Sequence, residues 1–185
     1  FACPNWKDII EDVKKYKKKF QFKQGLDERL LTKEHINEMK SWKYEGQFIF
    51  AFDNIDDKKI MEEKLKLFRN TFGMKKGLKF YVFCGFDRNE EYAEDFWSKD
   101  IDTTFERIFI LAKYNATPYV MRHENSYKSK YKGMYSNIAA WTNQPNLFFK
   151  FDFRTFCKCS GMPRKDYSVY KRDVERYLKD GGKKM

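Results

Sequence analysis

The chain has 185 residues, enough to bury a substantial hydrophobic core, and no apolar run approaches the roughly 20 residues that span a bilayer. Hydrophobic residues make up 42% of the chain and aromatic residues 19%, which excludes an intrinsically disordered protein. The 38 basic residues outnumber the 27 acidic ones and give a net charge of +11, which fits either nucleic-acid binding or a solvated lysine-rich surface.

The first predicted elements are a helix, a short strand and a second helix. The first helix follows Asn5, a common helix-capping residue type, and its apolar residues recur at helical spacing: Trp6, Ile9, Ile10, Val13 and Tyr16. A short strand, FQFKQGLD, starts at Phe20 and ends at Gln24-Gly25. Thr32 then caps a helix that carries Ile36 and Met39 on one face.

Three longer apolar strands follow, each separated from the next by an amphipathic helix. Their sequences are GQFIFAFDNIDD, GLKFYVFCGFD and TPYVMRHE. Asp56 or Asp57 caps the helix after the first, and its apolar stripe holds Met61, Leu65, Phe68 and Phe72. The helix after the second carries Ile101, Phe105, Ile108 and Ala112. Because these strands show little alternation of polar and apolar residues, we expect both of their faces to be buried.

This succession of strands and helices predicts an α/β fold. Strands starting near Phe20, Phe48, Lys79 and Pro118, joined by helical crossovers, should form a parallel sheet in sequential order with the helices outside. We treat residues 1–185 as a single domain, in which residues 1–123 form the βα units. Residues 124–185 form an aromatic-rich and helical C-terminal extension, whose last helix aligns Tyr170, Val174, Tyr177 and Leu178.

The cysteines indicate a reducing, cytoplasmic protein without a metal site of its own. Their spacing does not resemble a disulfide framework, and Cys84 lies within a predicted strand, where a thiol packs as a small hydrophobe. Cys157 and Cys159 are too close together for the usual zinc spacing and have no nearby histidine.

Polar residues follow each of the predicted strands. Parallel α/β proteins build their sites at the carboxyl ends of strands, because the tips and the following loops converge on one side of the sheet. We therefore expect a shared polar site there, formed by Gln24, Asp27, Asp53, Asn54, Gly85, Asp87, Arg88, Arg122 and His123.

This set of strand ends resembles the radical S-adenosylmethionine (radical SAM) enzymes, whose core is a partial (β/α) barrel of six strands. QGLDERLLT, FIFAFDN, FYVFCGFDR and ATPYVMR look like the third to sixth strands of that barrel, and WTNQPNLFFKFDFRTFC is similar to a tail of some bacterial and phage-type members. The resemblance implies that Asp27, Asp87 and Arg88 face cofactor or substrate. It also implies a cofactor side lined by Gln24, Asp53, Asn54, Gly85 and Arg122.

The chain departs from the family in its cysteines. The family's Cys-x-x-x-Cys-x-x-Cys segment, which holds a 4Fe–4S cluster, does not occur in this sequence. The resemblance therefore implies the C-terminal part of a radical SAM protein, and the start at Phe1-Ala2-Cys3-Pro4 fits an internal fragment or a processed chain. In the intact parent, S-adenosyl-L-methionine and the cluster would be bound. We expect this chain alone to hold neither stably, to contain no catalytic residue and to be inactive.

Two partner hypotheses follow. The open sheet edge would take the missing N-terminal barrel segment or a partner chain. Alternatively, the chain is a basic nucleic-acid-binding or protein-interaction module without catalysis, because aromatic residues alternate with lysine in SYKSKYKGMY, residues 126–135.

Overall fold

The structure, a computed structural model, describes residues 2–159, so the helix predicted around Tyr170 lies outside the described residues. The strands are β1 (Phe48–Ala51), β2 (Leu78–Cys84) and β3 (Thr117–Arg122). The helices are α1 (Trp6–Lys15), α2 (Lys33–Lys40), α3 (Lys58–Phe72), α4 (Glu94–Lys113), α5 (Lys132–Thr142), α6 (Pro145–Phe148) and α7 (Phe153–Cys159). Short 3₁₀ turns cover Glu28–Leu30, Ile55–Asp57 and Glu124–Lys128.

The sheet is parallel, in the order β1-β2-β3. Phe80 of β2 lies beside Phe50 on one side and Pro118 on the other, so the three strands run in sequential order. The α/β class and the parallel sheet are thus as the sequence predicts.

The predicted strand starting at Phe20 is not a regular strand, so the sheet has three strands instead of four. Phe20 makes an isolated parallel bridge to Tyr44, and Leu26 makes one to Phe50. Between these bridges the hydroxyl of Tyr44 donates to Phe22 O at 3.2 Å and accepts from Phe22 N at 3.0 Å. A side chain therefore replaces the backbone ladder there, and the partial barrel is not evident from this sheet.

The predicted helices that fall within residues 2–159 form where the apolar spacing placed them. Thr32 Oγ1 accepts from His35 N at 3.2 Å and caps α2, whereas Asn5 and Asp57 occupy N-cap positions without a side-chain capping bond. On α4, Ile101, Phe105, Ile108 and Ala112 are buried. None of the helices in the described part of the chain is both long and apolar enough to cross a membrane.

Only one face of the sheet is fully covered, contrary to the expectation that both faces are buried. Along β2, burial alternates strictly: Leu78, Phe80, Val82 and Cys84 are buried, and the residues between them are only half-buried. Helix α3 packs on the covered face, where the Phe68 ring lies 5.6 Å from that of Phe48. On the other side, Ile49 and Thr117, which flank Lys79 in register, are buried. We call the less covered residues of β2 and β3 on that side the open face; they are Lys79, Tyr81, Phe83, Tyr119 and Met121.

The outer edge of β3 is blocked by a side chain. Asn143, just after α5, accepts from Val120 N through Oδ1 at 2.7 Å and donates to Val120 O through Nδ2 at 3.1 Å. The asparagine amide thus pairs with the strand as another strand would, and hinders further pairing at this edge.

Candidate functional site at the carboxyl ends of the strands

The carboxyl ends of the three strands lie along one edge of the sheet, which we call the rim. Cys84 at the end of β2 is in register with Arg122 at the end of β3, and His123 N continues the ladder by donating to Cys84 O at 2.9 Å. At β1, the bridge between Leu26 and Phe50 brings the residues after Gln24 to the same edge.

The residues that follow β1 are held by the end of β2. Asp53 is exposed, and its Oδ1 accepts from Phe83 N at 2.9 Å. Asn54 Oδ1 accepts from Asp56 N at 3.1 Å and so caps the next 3₁₀ turn. Asp53 therefore presents a carboxylate at the rim, with one oxygen oriented by the backbone. The Asn54 side chain instead stabilises the start of the 3₁₀ turn.

Gly85 follows β2 and has a backbone conformation that favours glycine, with φ of +76°. A Cβ at this position would lie 2.8 Å from Ser126 Cβ, so the close approach of the turn after β3 also requires glycine. Gly85 N donates to Asp100 Oδ2 at 2.8 Å. The glycine that the sequence singled out thus brings the ends of β2 and β3 together.

Arg122 is anchored within the rim. Its Nη1 donates to Ser136 Oγ at 2.7 Å, and its guanidinium lies 4.8 Å from the ring centroid of Tyr127. Tyr127 is 55% exposed, so this cation–π pair lies at the surface, where either partner can meet a ligand.

The substrate-facing candidates have different surroundings. Asp27 accepts from Arg29 through both carboxylate oxygens, at 2.9 Å each, and this pairing lowers the pKa of Asp27. Asp87 accepts from the backbone amides of Asn89 and Tyr92, at 3.0 Å each, and thereby closes the loop after β2. Arg88 and Gln24 are exposed.

Sequence reasoning missed a partly buried carboxylate behind the rim. Asp100 on α4 accepts from Gly85 N at 2.8 Å and from the Tyr135 hydroxyl at 2.6 Å, both through Oδ2. Burial raises the pKa of Asp100, while the bonds from Tyr135 and Gly85 act in the opposite direction. Burial also raises the pKa of Tyr135. Asp100, held by the Tyr135 hydroxyl, thus fixes the position of the Gly85 backbone amide.

A buried arginine on the same helix was also missed. Arg107 is 2% exposed, and its Nη1 donates to the carbonyls of Phe52, Asp53 and Phe83 at 3.0, 2.9 and 2.9 Å. Burial lowers its pKa. The sequence did carry a signal, because Asp100 and Arg107 stand seven positions apart on the apolar side of α4. A charged residue at core spacing indicates a buried polar network.

Aromatic side chains line the rim between β2 and β3. The ring centroids of Phe86 and His123 are 5.1 Å apart, and each lies 5.9 Å from that of Phe83. Phe86 is 41% exposed. These rings border the Asp53 and Gly85 positions with a surface on which a flat ligand ring can pack.

The cysteines of the described residues do not fit an iron–sulfur cluster. Within residues 2–159 no three His, Cys, Asp or Glu side chains are grouped so as to hold a metal ion. Cys84 and Cys157 are buried, and burial raises the pKa of both thiols, that of Cys157 to about 12. A cluster is held by thiolates, and burial of these two thiols disfavours that form.

No family model, curated protein or solved structure matches this chain.

Proposed function

We propose that this chain is the C-terminal part of a radical SAM protein and supplies cofactor- and substrate-facing strand ends to a barrel completed by another polypeptide segment. The observation that carries this proposal is the one-sided sheet. Helices cover one face, while the opposite face is lined with half-buried aromatic side chains and ends in a polar rim. A barrel interior has this character before the remaining strands close it.

In this proposal, different rim residues make different kinds of contact with the cofactor. Asp53 offers a carboxylate held by Phe83 N, and it is the group best placed to accept hydrogen bonds from a ribose or an amino group. Phe83, Phe86 and His123 offer ring surface for an adenine. When bound, the cofactor and its cluster would supply a radical that removes a substrate hydrogen atom; this chain's residues bind and orient.

Gly85 fits this role less directly than the resemblance implies. The space above its Cα is already taken by Ser126, whose Cβ would lie 2.8 Å from an added Cβ. Its contribution to binding is therefore indirect: it sets the spacing between the ends of β2 and β3.

The test restores the segment encoded upstream of this chain, reconstitutes the protein anaerobically with iron and sulfide, and measures 5′-deoxyadenosine after reduction. We expect product from the restored protein and none from this chain alone. Asp53→Ala should weaken S-adenosylmethionine binding by about 1–3 kcal/mol because a hydrogen-bond partner is lost. Asp53→Asn, which keeps the acceptor for Phe83 N, separates loss of charge from loss of local structure.

The matched control is Asp56→Ala, the same substitution at an exposed position three residues further along the loop, and it should leave binding unchanged. A restored protein that loads a cluster and cofactor but binds them equally well with Asp53→Ala would refute the site assignment. A parent gene without three suitably spaced cysteines would refute the enzymatic proposal.

The alternative is a basic module that binds nucleic acid or protein without catalysis. One observation favours it, the pair of half-buried Arg122 and exposed Tyr127. However, Tyr131 and Tyr135 of the lysine-rich segment are buried, at 3% and 0% exposure, so their rings are not available for stacking on bases. The cofactor-side proposal therefore has the stronger support.

A further inference from the structure

Lys79 is a half-buried cation in the middle of aromatic rings on the open face. Its Nζ lies 4.2 Å from the ring centroid of Tyr119 and 5.8 Å from that of Tyr81. The two rings meet edge to face, with their centroids 5.8 Å apart. Burial lowers the pKa of Lys79.

Among the side chains that the structure describes, no carboxylate forms a salt bridge with Lys79. The absence of a paired acid is tolerated as long as water reaches the ammonium group. A cation that loses this water without gaining a partner is costly, and cation–π contacts offset only part of the cost. Any occupant that covers this part of the sheet must therefore bring a negative charge to Lys79.

The other residues of the open face are mostly apolar and favour an apolar binding partner. Tyr81, Phe83 and Tyr119 are half-buried, Met121 is 38% exposed, and the face continues at the rim into Phe86 at 41% exposure. An occupant of complementary chemistry is thus apolar along most of its length and acidic opposite Lys79.

Two other occupants fit less well. A second copy of this chain would present its own open face, which contains Lys79 and no carboxylate, and would bury two unpaired ammonium groups. A single-stranded nucleic acid needs free ring surfaces and a row of cations, but the Tyr119 ring is already engaged by Lys79.

We propose that the open face is covered by an extended polypeptide segment from outside these 185 residues, which presents the carboxylate of an Asp or Glu side chain to Lys79 between Tyr81 and Tyr119. This inference rests on the proposed function, in which another segment completes the barrel. It adds the chemistry that this segment carries.

The test uses two peptides that differ only in charge, acetyl-Val-Glu-Val-amide and acetyl-Val-Gln-Val-amide, added to the full chain. The lysines carry ¹³C-methyl labels, and the Lys79 signal is assigned by its loss in Lys79→Met. We expect the glutamate peptide to shift the Lys79 signal, raise its pKa and bind about fivefold more tightly than the glutamine peptide, as for a partly desolvated ion pair.

Lys79→Met, which keeps an unbranched apolar stem, should abolish the difference between the peptides. Lys76→Met is the matched control: Lys76 also lies over an aromatic ring, 5.1 Å from the Phe48 centroid, but does not belong to the open face. It should preserve the difference.

Three results would overturn the proposal. The first is equal binding of the two peptides. The second is tighter binding of inorganic phosphate or of an oligothymidylate than of the glutamate peptide. The third is a Lys79 that titrates as a paired lysine in the full chain and responds to neither peptide, which would assign the covering segment to residues 160–185. None of these results bears on Asp53, so failure here and failure of the cofactor proposal are distinguishable.

Discussion

Gly85 and Gly73 both have a positive φ, +76° and +74°, but different surroundings. A Cβ on Gly85 would meet Ser126 Cβ at 2.8 Å, whereas a Cβ on Gly73 would meet nothing within 4 Å. The pair therefore separates backbone strain from the close approach at the rim.

We expect Gly73→Ala to lower the free energy of unfolding by about 1–2 kcal/mol, because a side chain at φ +74° and ψ 173° strains the backbone. Gly85→Ala should lower it by about 2–4 kcal/mol, because the turn after β3 must also move. Urea unfolding followed by tryptophan fluorescence measures both. Equal decreases in the free energy of unfolding of the two variants would contradict this prediction, because they would mean that Ser126 moves away from the added Cβ without destabilising the fold.

Glu28 is a second residue whose behaviour follows from its surroundings. It is 4% exposed, and burial raises its pKa to about 7 from an ordinary 4.5, although the Ala51 backbone amide partly stabilises the ionised form. The folded chain therefore keeps a proton between these two pH values that the unfolded chain has released. Stability contributed by the protonated form is complete below pH 4.5 and is lost as pH rises to 7.

Glu28→Gln should remove this pH dependence. We expect the variant and the original chain to be similarly stable near pH 4.5, and the variant to be more stable by about 2–3 kcal/mol above pH 7. Urea midpoints measured across this range test the prediction, with Glu63→Gln on the exposed side of α3 as the control. A gain that is the same at every pH would contradict it.

At the scale of elements, two buried arginines hold the two ends of the sheet. Arg107 of α4 binds three carbonyls at the carboxyl ends of β1 and β2. Arg69 of α3 binds four carbonyls at the opposite end: it donates to Tyr114 O at 2.6 Å, Asn115 O at 2.8 Å, Gly73 O at 3.0 Å and Lys76 O at 2.7 Å. Each guanidinium thus ties a helix to the loops around it.

Arg107→Lys and Arg69→Lys should each lower the free energy of unfolding by about 2–4 kcal/mol, since a lysine cannot reach all of these carbonyls at once. Hydrogen exchange distinguishes the two variants. Arg107→Lys should speed exchange of the Phe52 amide, which is bonded to Tyr81 O near the rim, and Arg69→Lys that of the Ala116 amide at the other end. Acceleration of the same amides in both variants would contradict separate roles for the two arginines.

At the scale of the whole molecule, the net charge of +11 permits weak nucleic-acid binding without specifying it. We expect affinity for a duplex DNA to vanish at moderate salt, as for a diffuse lysine surface. Glutamine substitution of Lys17, Lys18 and Lys19 should then weaken low-salt binding about as much as substitution of Lys128, Lys130 and Lys132. Sub-micromolar affinity at physiological salt, lost only with the second set, would instead favour the nucleic-acid module.

The sequence by itself determined the features that depend on neighbours along the chain. The spacing of Ile101, Phe105 and Ile108 predicted the buried stripe of α4, because a helix repeats its contacts every three or four residues. Thr32 marked the start of α2, because its hydroxyl caps a backbone amide three residues later. The parallel order of β1, β2 and β3 followed from strands alternating with crossover helices. The positions of Asp53, Gly85 and Arg122 at the strand ends followed from that order.

Only the tertiary structure decided the features that depend on residues far apart in the chain. The Tyr44 hydroxyl replaces the ladder at Phe22, so the first predicted strand does not form. Asp100 and Arg107 of α4 form hydrogen bonds with backbone groups at the ends of strands far away in the chain. The open face could not be predicted from the sequence for the same reason. Tyr81 and Tyr119 are apolar enough to be buried, and their exposure depends on which elements pack against them.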